Sequence, residues 1–439
     1  MFIPELLSPA GTLKSMRYSF AYGADAVYAG QPRYSLRVRN NEFNYENLLN
    51  GIKEAHNLNK KFYLVINIIP HNTKLKTFIN DLKSIVSLKS DALIMSDPGL
   101  IMTVRNLFPE INIHLSVQAN TVNWASVKFW KEIGLTRIIL SRELSLEEIS
   151  EIHEQVPNIE LEVFIHGALC MAYSGRCLLS SYINKRDPNQ GACTNVCRWK
   201  YYIQEVTEDN SGNIEYINKS TNVITKNNQT NKTFIIKPEK HKEEYMIALE
   251  DKHGSYIINS RDLCAIKHIK KLIKIGVHSL KIEGRTKSFY YCARTAQIYR
   301  QAITNAVSKK PLSPLLISSL NGLANRGYTD GFFQRHTHDL YQTYDIGNSV
   351  SNTQQFVGEF TNKFINGLAE VIVKNKFNIG DNLELMTTSG NITFILNEMK
   401  NHKNENIKTA PGDGYIVYLS IPENININFA LLIRNLSKK

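Results

Sequence analysis

The stretch SLKIEGRTKSFYYCARTAQIYR, Ser279 to Arg300, decides how the rest of the chain is read. Leu280 and Ile282 are apolar, while Lys281, Glu283 and, past Gly284, Arg285 are charged. A period of two marks a strand whose two faces meet different surroundings. Beyond the glycine the pattern changes, and Tyr291, Cys292 and Ala293 sit in a helical context. A strand that ends in glycine and polar residues and runs into a helix is one β/α unit.

The same unit recurs. Short apolar runs closing on polar or glycine residues fall at 5–8, 26–30, 62–67, 92–97, 113–118, 137–141 and 161–166, and with 279–284 they make eight. Helical periodicity fills 45–58, 75–88, 123–133 and 145–154. Eight strands, each followed by a helix, predict an α/β fold of the (β/α)8 TIM-like barrel kind; an open doubly wound sheet is the alternative and fits the repeat count less well. Beyond Gln342 the helical signal fades, and runs at 368–373 and 382–386 alternate like strands around turns at 380–381 and 389–391, which predicts a small antiparallel β-barrel. The domains expected are a barrel over 1–340, with a cysteine loop at 167–200 and a polar surface insertion at 206–242, and a C-terminal domain over 341–439. The insertion, rich in Asn, Lys and Thr, shows little periodicity.

Alternation also assigns the barrel interior. The fifth strand sets Ile113, Leu115 and Val117 against His114, Ser116, Gln118 and Asn120. The seventh turns Glu162, Phe164 and His166 inward, and the eighth Lys281, Glu283 and Arg285. Polar groups near the C-terminal strand ends are where barrels of this type carry chemistry, and internal salt bridges are the structural alternative. His166, Lys281, Glu283 and Arg285 are therefore the catalytic candidates. Arg33, Arg37 and Arg39, just after Gly30, with Gln118, Asn120 and Arg142, are candidates for holding an anionic substrate, and Arg186 is a further arginine at a barrel end. Tyr28, Tyr34 and Tyr173 could stack on a base or simply pack.

Composition narrows the setting. With 439 residues, 43% of them hydrophobic, the chain is long enough for one large or two ordinary domains. No basic segment leads an apolar run at the N-terminus and no run approaches the roughly 18 apolar residues of a membrane span, so a cytoplasmic protein with no membrane partner is expected. A net charge of +12 favours a polyanionic partner. Four of the six cysteines fall at Cys170, Cys177, Cys193 and Cys197, spaced C-x6-C-x15-C-x3-C. In a reducing compartment such a cluster points to metal or redox chemistry, and the spacing alone suits zinc and an iron–sulfur cluster equally. Cys264 and Cys292, in apolar helical contexts, read as core.

Four stretches, ELLSPAG, GADAVYAGQPRYSLRVRNNEF, GALCMAYSGRCLLSSY and the Ser279–Arg300 segment, together resemble the collagenase-like peptidase family, and the resemblance runs from Pro4 to about Asn435. It implies a barrel in which Cys170, Cys177, Cys193 and Cys197 hold a 4Fe-4S cluster, which favours the cluster over zinc. It further implies formation of 5-hydroxyuridine at the wobble position of the tRNA anticodon, with oxygen taken from prephenate and not from dioxygen. It likens the C-terminal domain to the β-barrels of translation factors. The family name points to proteolysis, yet the chain has no Gly-x-Ser-x-Gly elbow, and His153-Glu154 is followed by Gln155, Val156 and Pro157 without the second histidine of a zinc protease. Proteolysis and a non-catalytic RNA-binding role remain the alternative functions.

Overall fold

A computed structural model describes residues 2–36, 41–169, single positions and short pieces within 173–198, strands at 201–208, 214–216, 232–238 and 246–250, and residues 261–334, 351, 353–422 and 425–436. Seven strands come first: β1 (Glu5–Pro9), β2 (Ala26–Gly30), β3 (Lys61–Ile66), β4 (Ala92–Met95), β5 (Ile113–Leu115), β6 (Arg137–Ile139) and β7 (Glu160–Ala168). Between them run helices α1 (Leu13–Ala21), α2 (Tyr45–Asn57), α3 (Asn72–Ser87), α4 (Pro98–Leu107), α5 (Trp124–Glu132) and α6 (Leu146–Gln155). Four strands, β8 (Tyr201–Glu208), β9 (Ile214–Tyr216), β10 (Lys232–Pro238) and β11 (Met246–Glu250), then form a separate antiparallel sheet. The chain returns through β12 (Asp262–Cys264), α7 (Ile269–Ile275), β13 (Ser279–Ile282), α8 (Phe289–Val307), α9 (Pro314–Asn321) and β14 (Tyr328–Thr329).

Strands β1 to β7 pair in parallel in chain order, β13 pairs with β1, and β7 pairs with β13, so eight strands close into a ring. The eight predicted strands are these eight. The connections are punctuated by side-chain caps: Thr12, Asn44, Asp97, Asn123 and Ser288 each accept a helix N–H, and Ser145 with Glu148 forms a reciprocal capping box. Among the described residues no helix is long and apolar enough to cross a membrane.

Three local readings are corrected. The insertion read as aperiodic over 206–242 carries β9 and β10, which pair with the flanking β8 and β11, because runs such as Thr233-Phe234-Ile235-Ile236 have strand propensity that a window of Asn and Lys masks. The fifth strand stops at Leu115; Ser116 caps a short 3-10 turn, Val117–Ala119, and Asn120 takes a left-handed conformation at φ 53°. On β7 the pairing steps from Phe164 against Lys281 to His166 against Ile282, so Ile165 is an extra bulged residue and His166 leaves the inner face.

The C-terminal strands β15 (Gln354–Ile365), β16 (Leu368–Val373), β17 (Phe377–Asn378), β18 (Asn382–Thr387), β19 (Gly390–Ile395), β20 (Met399–Lys400), β21 (Thr409–Ala410), β22 (Ile416–Leu419) and β23 (Leu431–Asn435) form a seven-stranded antiparallel sheet and a two-stranded ribbon, β17 with β21. The seven strands pair in the order β19-β18-β23-β15-β16-β22-β20, the small antiparallel domain expected beyond residue 340. The sheet encloses its own core around Val371, Leu385 and Leu432, while Met386, Leu431 and Ile433 join the barrel's core. Polar clamps hold the same face: the fully buried Arg294 of α8 donates to Glu384 at 2.7 Å, and the Tyr18 hydroxyl of α1 to Glu359 at 3.0 Å.

Candidate active site at the barrel mouth

At the N-terminal strand ends the interior is a closed ionic network. Arg137 donates through Nη1 to Glu5 at 2.6 Å and to Glu162 at 3.2 Å, and through Nε to Glu160 at 2.7 Å. Lys281 Nζ donates to the other oxygen of Glu162 at 2.8 Å, while Tyr63 and Ser279 donate to Glu5 at 2.6 and 2.9 Å. Burial would raise the Glu5 pKa, but the Arg137 guanidinium overrides it and holds the carboxyl below its ordinary value. His114 lies above this network, edge-on to Tyr63, and burial together with Arg137 and Lys281 keeps it neutral.

Toward the C-terminal ends the interior opens into a cavity lined by Tyr28, Asn67, Ser116, Gln118, Arg142, Phe164, Lys281, Glu283 and Arg285 from the strands and the loops after them. The Arg142 guanidinium lies 3.7 Å from the Phe164 ring centroid and 3.2 Å from Glu283. Lys281 Nζ sits 4.2 Å over the Tyr28 ring, and Arg285 donates to the Leu36 carbonyl at 2.7 Å. Burial lowers the Lys281 pKa against the pull of Glu162. Gly30 makes room for this arrangement, since a Cβ there would come within 2.6 Å of Arg285 Nη1 and 2.4 Å of Ser35 Oγ.

Described residues of the cysteine loop close the cavity on one side. Cys177, Cys193 and Cys197 all line it, with Ser180 and Val196. The Asn195 amide donates to Cys193 Sγ at 3.4 Å, and Ser180 Oγ lies 3.8 Å from the same sulfur. Thiols are the donors that soft metal centres and iron–sulfur clusters take, but among the described residues no three of the Cys, His, Asp and Glu side chains stand close enough together to hold a metal ion. Cys170 lies outside the described residues.

Of the residues singled out in the sequence, Lys281, Glu283, Arg285, Gln118 and Arg142 meet in this one cavity. Asn120 instead anchors the cysteine loop, donating to the Tyr173 carbonyl at 3.3 Å. Arg33 points away, pairing with Asp81 of α3 at 2.7 Å, while Arg37 and Arg39 lie outside the described residues. Arg186 is exposed and does not line the cavity. Tyr34 is packing, its hydroxyl on Asp81 at 2.7 Å and its ring against Phe78, and Tyr173 is exposed.

His166 is the main departure. It packs against Tyr291, Tyr299 and Tyr328 on the helical side of the sheet, with Nδ1 3.2 Å from the Tyr299 hydroxyl. Burial, and secondarily Lys287, push its pKa down to about 3. Gly167 follows at φ 105°, and a Cβ there would sit 2.5 Å from the Glu283 carbonyl, so the strand crosses β13 too closely for any side chain. Cys292 is buried as expected, its thiol pushed up to about 12 by burial, and Cys264 is partly buried against Tyr299. Arg137 was missed: its short strand, Arg-Ile-Ile, begins on the inward residue, and a charge at a strand start reads as an exposed end.

A (β/α)8 barrel whose charged mouth is closed on one side by a thiol-bearing loop is the class that fold and site define. The model of peptidase family U32 matches residues 11–343, and that of the family's C-terminal domain matches 352–434. This chain belongs to peptidase family U32. It is 65% identical to the tRNA hydroxylation protein P of Escherichia coli, over all of this chain and 98% of that protein. It is 64% identical to the protein of the same name from Haemophilus influenzae, over 99% of this chain and 97% of that one. A collagenase of Porphyromonas gingivalis is 25% identical over 90% of this chain and 89% of its own length.

Proposed function

We propose that this protein hydroxylates tRNA, converting the wobble uridine to 5-hydroxyuridine with prephenate as oxygen donor, and that Cys170, Cys177, Cys193 and Cys197 hold a 4Fe-4S cluster. One observation carries the reading: three thiols, two guanidinium groups, a lysine, a carboxylate and two aromatic faces line a single cavity at the strand ends. Relatives named for tRNA hydroxylation, similar over nearly their whole length, support the substrate. When bound, the cluster would supply a redox or Lewis-acid centre at the cysteine loop.

The chain's own groups suit the remaining tasks. Among the described lining residues Arg142 and Arg285 face one carboxylate, Glu283, while Lys281 is balanced by Glu162, and the two guanidinium groups suit a carboxylate-bearing anion such as prephenate. Lys281 and Glu283 are the groups able to hold or move a proton at Nζ and at a carboxylate oxygen. A uridine acted on at C5 must leave its stack, and the faces of Tyr28 and Phe164 are apolar surfaces for a planar ring between cations. Proteolysis is less well supported, because no histidine is among the described lining residues and His166 is held neutral on the other side of the sheet.

The test is mass spectrometry of tRNA nucleosides from a deletion strain carrying the wild-type gene or Cys193→Ser. Wild type should restore 5-hydroxyuridine and the variant should not, and the nucleoside should vanish when prephenate synthesis is blocked but persist without dioxygen. Undiminished 5-hydroxyuridine in the deletion strain rejects the proposal, and dependence on dioxygen rejects the donor.

A further inference from the structure

We propose that the cleft between the barrel and the C-terminal sheet binds a nucleotide of the RNA strand adjacent to the base being modified; this rests on the tRNA reading above. The cleft is a second cavity, of about 420 Å³, lined by Lys287, Tyr290 and Tyr291 from the barrel and by Gln354 and Phe356 from the C-terminal sheet. Glu283 and Arg285 line the mouth, Lys287 and Ser288 line the cleft, and the turn from Gly284 to Lys287, closed by a 2.8 Å backbone hydrogen bond, lies between them. A turn of this kind spans less than about 7 Å, on the order of the spacing between neighbouring nucleotides of a strand, so the two linings are close enough to serve adjacent bases.

The chemistry of the cleft suits a base. Tyr290 and Phe356, one from each domain, lie parallel with centroids 4.9 Å apart, and Phe289 braces Phe356 edge-on at 5.6 Å. Lys287 sits 5.5 Å over the Tyr291 ring, a cation where a phosphate would pass. Two polar atoms complete the wall. Gln354 spends its amide protons on Glu384 and Asn435, which fixes the orientation of Oε1, and Oε1 has no protein donor. The buried Tyr290 hydroxyl makes no well-formed hydrogen bond, although the Arg294 guanidinium, committed to Glu384, lies beside it. A planar ligand offering both a donor and an acceptor edge satisfies this pair, and a negatively charged backbone complements the positive charge of Lys287. Gly322 belongs to the same design, since a Cβ there would stand 2.3 Å from Gln354 Oε1.

The experiment uses the full-length protein and an unmodified tRNA transcript carrying 4-thiouridine next to the wobble position. Ultraviolet crosslinks should map to residues 287–291 or 354–356. Lys287→Ala, Phe356→Leu and the nearly isosteric Tyr290→Phe should each weaken tRNA binding by about 5- to 10-fold, the scale of one lost stacking or phosphate contact, with Tyr290→Phe melting as wild type. Wild-type affinity in Lys287→Ala and Tyr290→Phe, with crosslinks elsewhere, overturns the cleft while leaving the tRNA reading in place. A wild-type protein that binds no tRNA overturns the tRNA reading, and the cleft with it.

Discussion

The two ends of the barrel interior use the same residue types for opposite ends. At the N-terminal strand ends every buried charge meets an opposite charge within 3.2 Å, as Arg137 does with Glu5 and Glu162 and Lys281 with Glu162. At the C-terminal ends the cations lie on aromatic rings, Arg142 on Phe164 and Lys281 on Tyr28, and cationic side chains outnumber the carboxylate among the described lining residues. The first arrangement neutralises itself and leaves nothing for a ligand. The second leaves positive potential facing a cavity. Lys281 joins the two, with Nζ hydrogen-bonded to Glu162 and lying over the Tyr28 ring that lines the cavity, so its removal disturbs both ends.

That contrast is open to breakage by substitution. Glu162→Gln should have the largest effect on folding, because it removes the buried counter-charge of both Arg137 and Lys281; about 3–5 kcal/mol is expected, read as a fall in denaturant midpoint. Stability within 1 kcal/mol of wild type would show that the network is not a structural unit.

Protonation of His166 should come next. Its folded pKa of about 3 lies below the ordinary value of 6.5, so the unfolded chain binds the proton more tightly. Its contribution is complete above about pH 6.5 and is lost as pH falls toward 3, by roughly 2 kcal/mol at pH 5. Chemical denaturation of wild type and His166→Phe between pH 7 and pH 5 should show a shallower pH dependence in the variant. Parallel curves would place the titration elsewhere.

At the mouth the expected stability cost is smaller and the activity cost large. Arg285→Ala removes, among its contacts, the hydrogen bond to the Leu36 carbonyl and the cation over the Tyr28 ring, on the cavity side where water can enter, and should cost about 1 kcal/mol while abolishing 5-hydroxyuridine in the complementation assay. Full activity would remove Arg285 from the site, and unfolding in step with lost activity would assign it to structure. The smallest effect belongs to Glu160→Gln. Glu160 is the half-exposed partner of Arg137, and its loss should shift stability by under about 1 kcal/mol, so a larger shift would mean the network extends to the surface.

Much of this contrast was legible in the chain. Period-two alternation at 279–285 placed Lys281, Glu283 and Arg285 on one face because the strand there is regular up to Ile282 and its continuation keeps the same side. The same rule failed on β7 and β5, where one bulged residue and one 3-10 turn reset the phase. Neither device has a period, so a count of alternating residues passes over both.

The sequence by itself determined the eight strands, the identity of the charged inner face on β13, the thiol cluster and the family, because each is written in local pattern or in residue types at fixed spacing. Only the tertiary structure decided that the cysteine loop folds over the same mouth as Arg142 and Glu283, that Arg137 closes the opposite end, and that His166 belongs to the helices. The reason is physical: closing the barrel brings together residues more than 100 positions apart, as with Arg137 and Glu5 or Arg142 and Glu283, and which charges neutralise one another depends on distances that strand register and a single bulge fix.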